Sequence, residues 1–332
     1  MNKNQKFISR RTFLNAVSAL ALASATGSVL AQSFPSRPIK IIVAFAPGTG
    51  SDALARFIAN GMQPALGGAS VIVDNRAGGG GIVGTEAAAK SAPDGYTLTL
   101  GTTSTLITNP ILNPNTKYNV EKDFAPVAGL ARASFVIVTA NRPDAPKSIG
   151  ELVSQLKRQD GMYASSGAGT ITHLASELFI RQVGVSATHV PYKGSGQALT
   201  DVAAGHVLFA SDTLAAALPL IRAGKLRALA VTSSERIASL PDVPTARESG
   251  YQGVQVHAWW GLLAPAGTPP AVVKQLSDAA LRAMGDAEIR AKLKTLELEP
   301  MEQTPQQFGA FIRQETPFWS EFIRRANIRL EQ

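Results

Sequence analysis

The stretch from Ile39 to Ile58 constrains the fold of this chain more than any other part of the sequence. An apolar, β-branched run, Ile39 to Phe45, is typical of a buried parallel strand, and the tight turn Pro47-Gly48-Thr49-Gly50 follows it. Ser51 or Asp52 then caps a helix. The apolar positions of this helix share one face: Leu54, Phe57, Ile58 and Met62. Together these features predict an α/β protein that presents backbone N–H groups to an anion, with an unliganded βα turn as the alternative.

The first 31 residues have the pattern of an export signal that is removed from the mature protein. A basic region at residues 3–11 precedes a small, apolar stretch at 13–30, and Val29-Leu30-Ala31 before Gln32 fits a small-residue cleavage site. Ser9 to Leu14 resembles the twin-arginine export signal, although the general secretory route stays open. An uncleaved membrane anchor is the alternative, but the apolar stretch is only marginally long enough to span a bilayer.

Composition excludes several classes of function. Removal of residues 1–31 takes away four basic and no acidic residues, so the formal charge falls from +8 to +4. The remaining basic residues are scattered, which argues against a nucleic-acid surface. Cysteine is absent, so disulfides, thiolate catalysis and Cys-ligated zinc are excluded. We therefore expect a soluble exported protein in the periplasm.

The strand–turn–helix pattern returns once in the second half of the chain. Met162 to Ala164 is a short strand, Ser165 to Gly169 is a glycine turn, and Thr170 starts a helix. The last sixty or so residues are helical, with a kink expected at Pro317. We predict one domain from residues 32–130 and 255–332 and a second from 131–254, joined by two crossings.

Two further polar segments follow predicted strands. The loop Gly101 to Ser104 follows a strand at Tyr96 to Leu100, and Asp212 follows a strand at Val207 to Ala210. Another strand is predicted at Ser134 to Val138. The carboxyl ends of strands are where open α/β sheets bind ligands, so both polar segments are candidates for a binding site.

Many short motifs, in order along the mature chain, resemble the periplasmic solute receptors of the tripartite tricarboxylate transporter group, also called Bug receptors. Any one of these motifs is weak, but so many in sequence order make a strong signal. They include Phe34–Ile39, Pro47–Asp52, Asn75–Gly78, Ala92–Tyr96, Lys122–Pro126, Tyr163–Gly167, Gly169–Thr170, His173–Leu174, His189–Gly194, Gly224–Thr232, Leu240–Thr245 and Gly261–Pro269.

The resemblance implies a two-domain, hinge-closing binding protein of type II-like periplasmic-binding-protein fold. The two glycine turns would face each other across the cleft and hold a ligand carboxylate, largely through backbone amides and ordered water. It implies a monomeric receptor for a small mono- or dicarboxylate or related aromatic acid, with no cofactor, no metal and no enzymatic activity. A transporter membrane complex or a sensor kinase would be its partner. Thr49, Leu106 and Leu208 depart from the residues frequent in the family, which bears on the identity of the ligand.

Several candidate site residues have a second interpretation. Ser51 and Asp52 cap a helix or face the ligand, and Asp212 accepts from a ligand or caps the helix after it. Lys193 pairs with a carboxylate or is solvated. His173 packs internally or supports the residues that contact the ligand, and it is not a metal ligand because the histidines lack the required spacing. The full candidate set is Pro47, Gly48, Thr49, Gly50, Ser51, Asp52, Thr102, Thr103, Ser104, Ser165, Ser166, Gly167, Thr170, His173, Tyr192, Lys193 and Asp212.

Two enzymatic functions are the alternatives. Gly48 to Ala53 fits Gly-x-Gly-x-x-Ala after a strand, and Asp74 ends the next strand about where a ribose-binding acid of an NAD(P)-dependent oxidoreductase lies. The second block offers no obvious hydride-transfer pair. A serine hydrolase is disfavoured because Gly-x-Ser-x-Gly is absent.

We expect the mature protein to begin at or near Gln32, because the cleavage motif ends at Ala31. N-terminal sequencing of the protein recovered from the periplasmic fraction checks this expectation. An intact Met1 in a membrane fraction would contradict it.

Overall fold

The computed structural model describes residues 34–329, so the predicted export signal at 1–31 lies outside the described residues. The strands are β1 Ile39–Val43, β2 Val71–Asn75, β3 Thr97–Thr102, β4 Phe124–Ala140, β5 Met162–Ser165, β6 Thr188–Pro191, β7 Phe209–Thr213, β8 Leu226–Val231, β9 His257–Pro265 and β10 Glu299–Gln303. The α-helices are α1 Gly50–Met62, α2 Ile82–Ala89, α3 Asn109–Leu112, α4 Val120–Asp123, α5 Ile149–Arg158, α6 Ile171–Val183, α7 Ser195–Ala204, α8 Leu214–Arg222, α9 Pro270–Gly285, α10 Ala287–Thr295 and α11 Pro305–Arg325. None of these helices is long and apolar enough to cross a membrane.

The strands join in the order β2-β1-β3-β9-β4-β7-β5-β6, with β8 and β10 also paired to β4. β1 pairs in parallel with β2 and β3, and β5 pairs in parallel with β6 and β7. β9 is antiparallel to both β3 and β4. The two parallel groups are therefore connected through antiparallel strands in the middle of the sheet.

The 17-residue strand β4 carries hydrogen bonds to both groups. Its first part, from Phe124 to Ser134, pairs with β9, and β10 pairs along the same part. Its second part pairs with β7 and β8, from Phe135 onward. Nearly all of β4 is buried, which explains why its sequence is a continuous run of small and apolar residues.

A row of glycines crosses the middle of the sheet. Gly261 on β9 lies in register with Gly101 on β3 and with Gly129 on β4. A Cβ atom at Gly261 would overlap the ring of Phe308 and lie 2.7 Å from the Ala128 carbonyl oxygen. The missing side chains at Gly261 and Gly129 therefore create the space in which α11 buries Phe308 completely.

The C-terminal helices also pack on the first helix of the fold. A Cβ atom at Gly61 of α1 would lie 2.8 Å from the Ala283 Cβ of α9 and would overlap Ile289 of α10. Close approach of the backbone at Gly61 thus lets the end of the chain cover the helix that follows β1.

The start of α1 differs from the prediction. Neither Ser51 nor Asp52 is the N-cap; Thr49 is, and its hydroxyl accepts a hydrogen bond from the Asp52 N–H at 3.4 Å. The helix begins at Gly50, two or three residues earlier than a cap at Ser51 or Asp52 allows. Threonine can act as the N-cap because its side-chain oxygen accepts a hydrogen bond from a backbone N–H of the first turn, as that of serine or aspartate does.

Three predicted strand boundaries were also wrong. Ser134–Val138 is not a separate strand but part of β4, and β7 covers Phe209–Thr213, so Asp212 lies inside a strand. Thr102 likewise ends β3. The helix α11 runs from Pro305 to Arg325 with Pro317 inside it, and the kink at Pro317 stays a prediction. Pairing with distant strands fixed the strand limits, and local turn signals do not report such pairing.

We expect Gly261→Ala to lower the free energy of unfolding by about 1–3 kcal/mol, because the new methyl group collides with Phe308 and the β4 backbone. Gly285→Ala is the matched control, since no atom lies within 4 Å of a Cβ built there. Urea unfolding of both variants measures the difference. Equal stabilities would show that the glycine row is not required for packing.

Candidate functional site

A cavity of about 670 Å³ lies where the two groups of strands meet the ends of several helices. Its size is in the range of small-molecule binding sites. Its lining mixes apolar groups with hydroxyls, and Lys193 and Asp212 are the only ionisable side chains among the described residues that line it. The lining residues are Phe45, Ala46, Pro47, Gly48, Thr49, Gly50, Ser51, Ala53, Thr102, Thr103, Ser104, Ser166, Ile171, Thr172, Lys193, Gly194, Ser195, Gly196, Gln197, Asp212, Thr213, Ala215, Ala216, Pro219, Ala258, Trp260 and Leu296.

The N-terminal ends of four helices reach this cavity. α1, α6, α7 and α8 each contribute lining residues from their first turn. The N-cap residues of α6, α7 and α8 make no side-chain cap hydrogen bond. Unpaired N–H groups and partial positive charge at such ends favour an anion.

The first glycine turn is held by Asp52. The Gly48 N–H donates to Asp52 Oδ2 at 3.0 Å, and Arg56 forms an ion pair with the same carboxylate at 2.9 Å. Burial acts to raise the pKa of Asp52, but the hydrogen bonds from Arg56, Gly48 and Asn75 together hold it below its usual value. Asp52 therefore stabilises the turn through its bond to Gly48, and it does not line the cavity.

Trp260 fastens the same turn to the central strands. Its indole N–H donates to Ser51 Oγ at 2.8 Å, and the ring lines the cavity from β9. The hydroxyl of Ser51 is thus an acceptor for tryptophan, and the first turn of α1 is tied to the middle of the sheet.

The second glycine turn satisfies most of its own backbone N–H groups. The Gly167 N–H donates to Ser165 Oγ at 3.2 Å, and the Thr170 N–H donates to the Gly167 carbonyl oxygen at 3.3 Å. The Ser166 N–H donates to Thr172 Oγ1 at 2.9 Å. Of this turn, Ser166 lines the cavity, together with the first residues of α6. The groups available to a ligand here therefore belong to the start of α6 more than to the turn.

Two stacked histidines support this turn from the side away from the cavity lining. His173 and His189 lie with ring centroids 4.0 Å apart, and the Gly169 N–H donates to His173 Nδ1 at 3.2 Å. Burial lowers the pKa of His173 to about 4 and, with the charge of its neighbour, that of His189 to about 3. Both rings are neutral at pH 7, which lets His173 Nδ1 act as an acceptor. His173 thus has the packing role that the sequence left open.

Polar side chains follow β3 in a single turn of π-helix, Ser104–Thr108. Ser104 Oγ accepts a hydrogen bond from the Ile171 N–H at 3.0 Å, which connects this turn to the start of α6. Thr103 is completely buried and lines the cavity, and its hydroxyl has no hydrogen-bond partner among residues 34–329. It is a donor or acceptor available to a bound molecule.

Asp212 is the buried charge of the cavity. Its Oδ1 accepts from the Thr213 N–H at 2.7 Å and from Ser195 Oγ at 3.0 Å. Burial raises the pKa of Asp212 from 3.8 to about 6, while these hydrogen bonds act in the opposite direction. Asp212 bonds to Thr213, the N-cap of α8, and not to the first turn of the helix, so it does not cap α8 in the usual way.

The structure separates the candidate residues into two sets. Those that line the cavity are Pro47, Gly48, Thr49, Gly50, Ser51, Thr102, Thr103, Ser104, Ser166, Lys193 and Asp212. Those outside the lining are Asp52, Ser165, Gly167, Thr170, His173 and Tyr192. Tyr192 instead donates its hydroxyl to Asp201 Oδ2 at 2.6 Å.

Sequence reasoning did not name a third glycine turn among the candidates. Gly194, Ser195 and Gly196 line the cavity at the start of α7, and Thr213 and Ala216 do so at the start of α8. A glycine-rich turn at the start of a helix is the signal that identified the other two turns. Gly194-Ser195-Gly196 carries the same signal, so the sequence could have identified this turn as well. The wall formed by Pro219, Ala258 and Leu296 carries no comparable local signal.

The dinucleotide alternative requires Asp74 near the Gly48 turn. Asp74 instead forms ion pairs with Lys40 at 3.5 Å and with Arg76 at 3.0 Å, and it does not line the cavity. The geometry thus gives no support to a ribose contact.

Comparison with known proteins relates most of the chain to one family. The description "Tripartite tricarboxylate transporter family receptor" matches residues 54–328. The protein BugT of Bordetella pertussis is 36% identical over 315 residues, which cover 94% of this chain and 96% of BugT.

Solved structures match over similar lengths. The periplasmic binding protein BugD has a TM-score of 0.84 and 32% identity, covering 90% of this chain and 100% of BugD. MatC of Rhodopseudomonas palustris, with bound malate, has a TM-score of 0.80 and 34% identity, covering 87% and 100%. The R. palustris protein Rpa4515, with adipate, has a TM-score of 0.85 and 33% identity, covering 89% and 99%.

We expect Asp212→Asn to stabilise the ligand-free protein at neutral pH. Folding raises the pKa of Asp212 from 3.8 to about 6. The contribution of Asp212 to the free energy of unfolding is therefore most favourable below pH 3.8, and it is lost as the pH rises through 6. Asparagine does not ionise, so the stability of the variant relative to the parent should rise by about 2 kcal/mol between pH 4 and pH 7.5. Urea unfolding across this range measures the change.

Asp201→Asn is the matched control for this experiment. Hydrogen bonds from Tyr192 and His206 lower the pKa of Asp201 rather than raise it, so no gain in stability above pH 6 is expected. A difference between Asp212→Asn and the parent that is constant from pH 4 to 7.5 would contradict the ionisation of a buried Asp212.

Proposed function

We propose, because this chain belongs to the tripartite tricarboxylate transporter family of receptors, that it captures a small organic acid in the cavity described above. MatC carries malate and Rpa4515 carries adipate, so two relatives of the same fold hold carboxylates. Mono- and dicarboxylates and related aromatic acids are the ligand class. As a receptor of this family the protein needs no chemical step, and we propose no enzymatic activity for it.

The convergence of four helix N-termini on one cavity carries the proposal. Among residues 34–329 no arginine lines this cavity, and its one lining lysine, Lys193, is exposed. An anion held there is therefore stabilised by backbone N–H groups and helix dipoles, each typically worth about 0.3–1 kcal/mol at an exposed helix end and more where water is excluded. The first turn of α1 and the hydroxyl of Thr103 are the groups best suited to the ligand carboxylate.

The same arrangement supports a two-domain receptor. Residues 32–130 with 255–332 would form one domain and 131–254 the other. β4 contributes strand pairing to each, and the chain passes back between the end of β8 at Val231 and the start of β9 at His257. The bond from the Ile171 N–H to Ser104 Oγ would then link the domains beside the ligand. Closure about β4 and this return segment would exclude water from the acid.

A periplasmic location fits this function. The sequence begins with the features of an export signal, and BugD is a periplasmic binding protein. The protein would act as a monomer that delivers its ligand to a transporter membrane complex or presents it to a sensor kinase.

We expect carboxylates, but not the corresponding primary amides, to raise the melting temperature of the purified protein, since binding to the folded state alone stabilises it. Thr103→Val should weaken carboxylate binding about 10- to 100-fold, because a hydrogen bond to a charged group is removed at constant shape. Calorimetry with adipate, malate and benzoate measures the affinities.

Thr188→Val is the matched control, because Thr188 is exposed at the start of β6 and lies outside the cavity lining. It should leave every affinity unchanged. If amides bind as well as acids do, or if no acid binds to the parent protein, the proposed function is wrong.

A further inference from the structure

Asp212 has one carboxylate oxygen that the protein leaves unpaired. The side chain is 1% exposed and lines the cavity. Thr213 and Ser195 donate to Oδ1, whereas Oδ2 has no hydrogen-bond partner among residues 34–329. Buried polar atoms are almost always paired, so an unpaired carboxylate oxygen at a binding cavity indicates a contact made by the ligand.

Within residues 34–329, no cationic side chain forms an ion pair with this carboxylate. Asp212 takes part in none of the ion pairs among the described residues. Lys193 also lines the cavity, but it is exposed. With its pKa raised to about 6 by burial, Asp212 is still mostly ionised at pH 7.

The chemistry of an ionised carboxylate restricts what can bind beside it. It accepts hydrogen bonds and donates none, so it pairs with a hydroxyl or an ammonium group. A second carboxylate beside it is a like charge in a partly desolvated site, which is unfavourable. The unpaired Oδ2 thus distinguishes ligands by the chemical group at the end opposite their carboxylate.

We propose, on the basis of the function proposed above, that the ligand is a carboxylic acid that also carries a hydrogen-bond donor, a hydroxyl or an ammonium group, and that Asp212 accepts that donor. The acid end is held at the first turn of α1 and the hydroxyl of Thr103, and the donor lies against Oδ2. Ser195 and Thr213 fix the orientation of the Asp212 carboxylate through Oδ1, which leaves Oδ2 as the oxygen for the donor. A plain dicarboxylate without a donor is a poor ligand.

Apolar side chains form much of the cavity wall. Trp260, Ile171, Ala216 and Pro219 contribute to it. The body of the ligand is therefore a hydrocarbon chain or ring, and its two polar ends determine its specificity.

Matched acids that differ only at the far end test this inference. The four-carbon set is 4-hydroxybutanoate, 4-aminobutanoate, succinate and butanoate, and the six-carbon set is 6-hydroxyhexanoate, 6-aminohexanoate, adipate and hexanoate. Calorimetry at pH 7.5 with the full mature protein gives each affinity. Within the set that fits the cavity, we expect a donor-bearing acid to bind at least about tenfold more tightly than the dicarboxylate of equal length. The hydroxyl and amino members show which donor the site takes.

Asp212→Asn, which preserves shape, separates recognition from support of the fold. This variant should bind the donor-bearing acids roughly 10- to 100-fold more weakly than the parent protein does, and it should bind the dicarboxylate no more weakly. Asp201→Asn, outside the cavity lining, is the control and should change neither.

Three results would overturn the inference. The dicarboxylate binds best, with proton uptake that shows Asp212 sharing a proton with it. Asp212→Asn weakens every member of a set equally, which shows a structural role. No member of either set, nor any other acid, binds, in which case the proposed function fails as well. In the first two cases the proposed function stands, so the two failures are distinguishable.

Discussion

The hydrogen-bond ladder of β4 is the interaction on which the rest of the structure depends. One strand pairs with β9 and β10 along its first part and with β7 and β8 along its second. Both parallel groups are therefore fixed to one buried strand, and the helices that follow their strands meet at the cavity. A backbone ladder holds these distant elements without long side chains, which is consistent with the small and apolar sequence of β4.

The family and the α/β periplasmic-binding-protein fold were predictable from the sequence, and both are confirmed. Local signals were enough for α1, whose glycine turn and apolar face lie within twenty residues of each other. They were not enough for Trp260, which reaches Ser51 Oγ across 209 positions of sequence. Contacts of that separation depend on strand order, and the order of strands is not encoded in any one segment.

The second glycine turn shows a different limit of sequence reasoning. Gly167 and Thr170 have the composition of an anion-binding turn, yet their backbone N–H groups bond within the turn. The same hydroxyl-rich composition allows both outcomes, because serine and threonine side chains compete with a ligand for backbone groups. Which outcome holds depends on buried neighbours such as His173 and His189, whose neutral rings become evident only in three dimensions.

The glycine row on the central strands has a consequence for the order in which the chain folds. The first part of β4 and β3 both pair with β9, and α11 inserts Phe308 at the row from the far end of the sequence. The core around the N-terminal strands therefore cannot be completed until nearly the whole chain has been made. The strands β5, β6 and β7, by contrast, pair with strands that are close to them in sequence. Long-range closure of this kind is slow, and it leaves the early strands exposed until the last helix arrives.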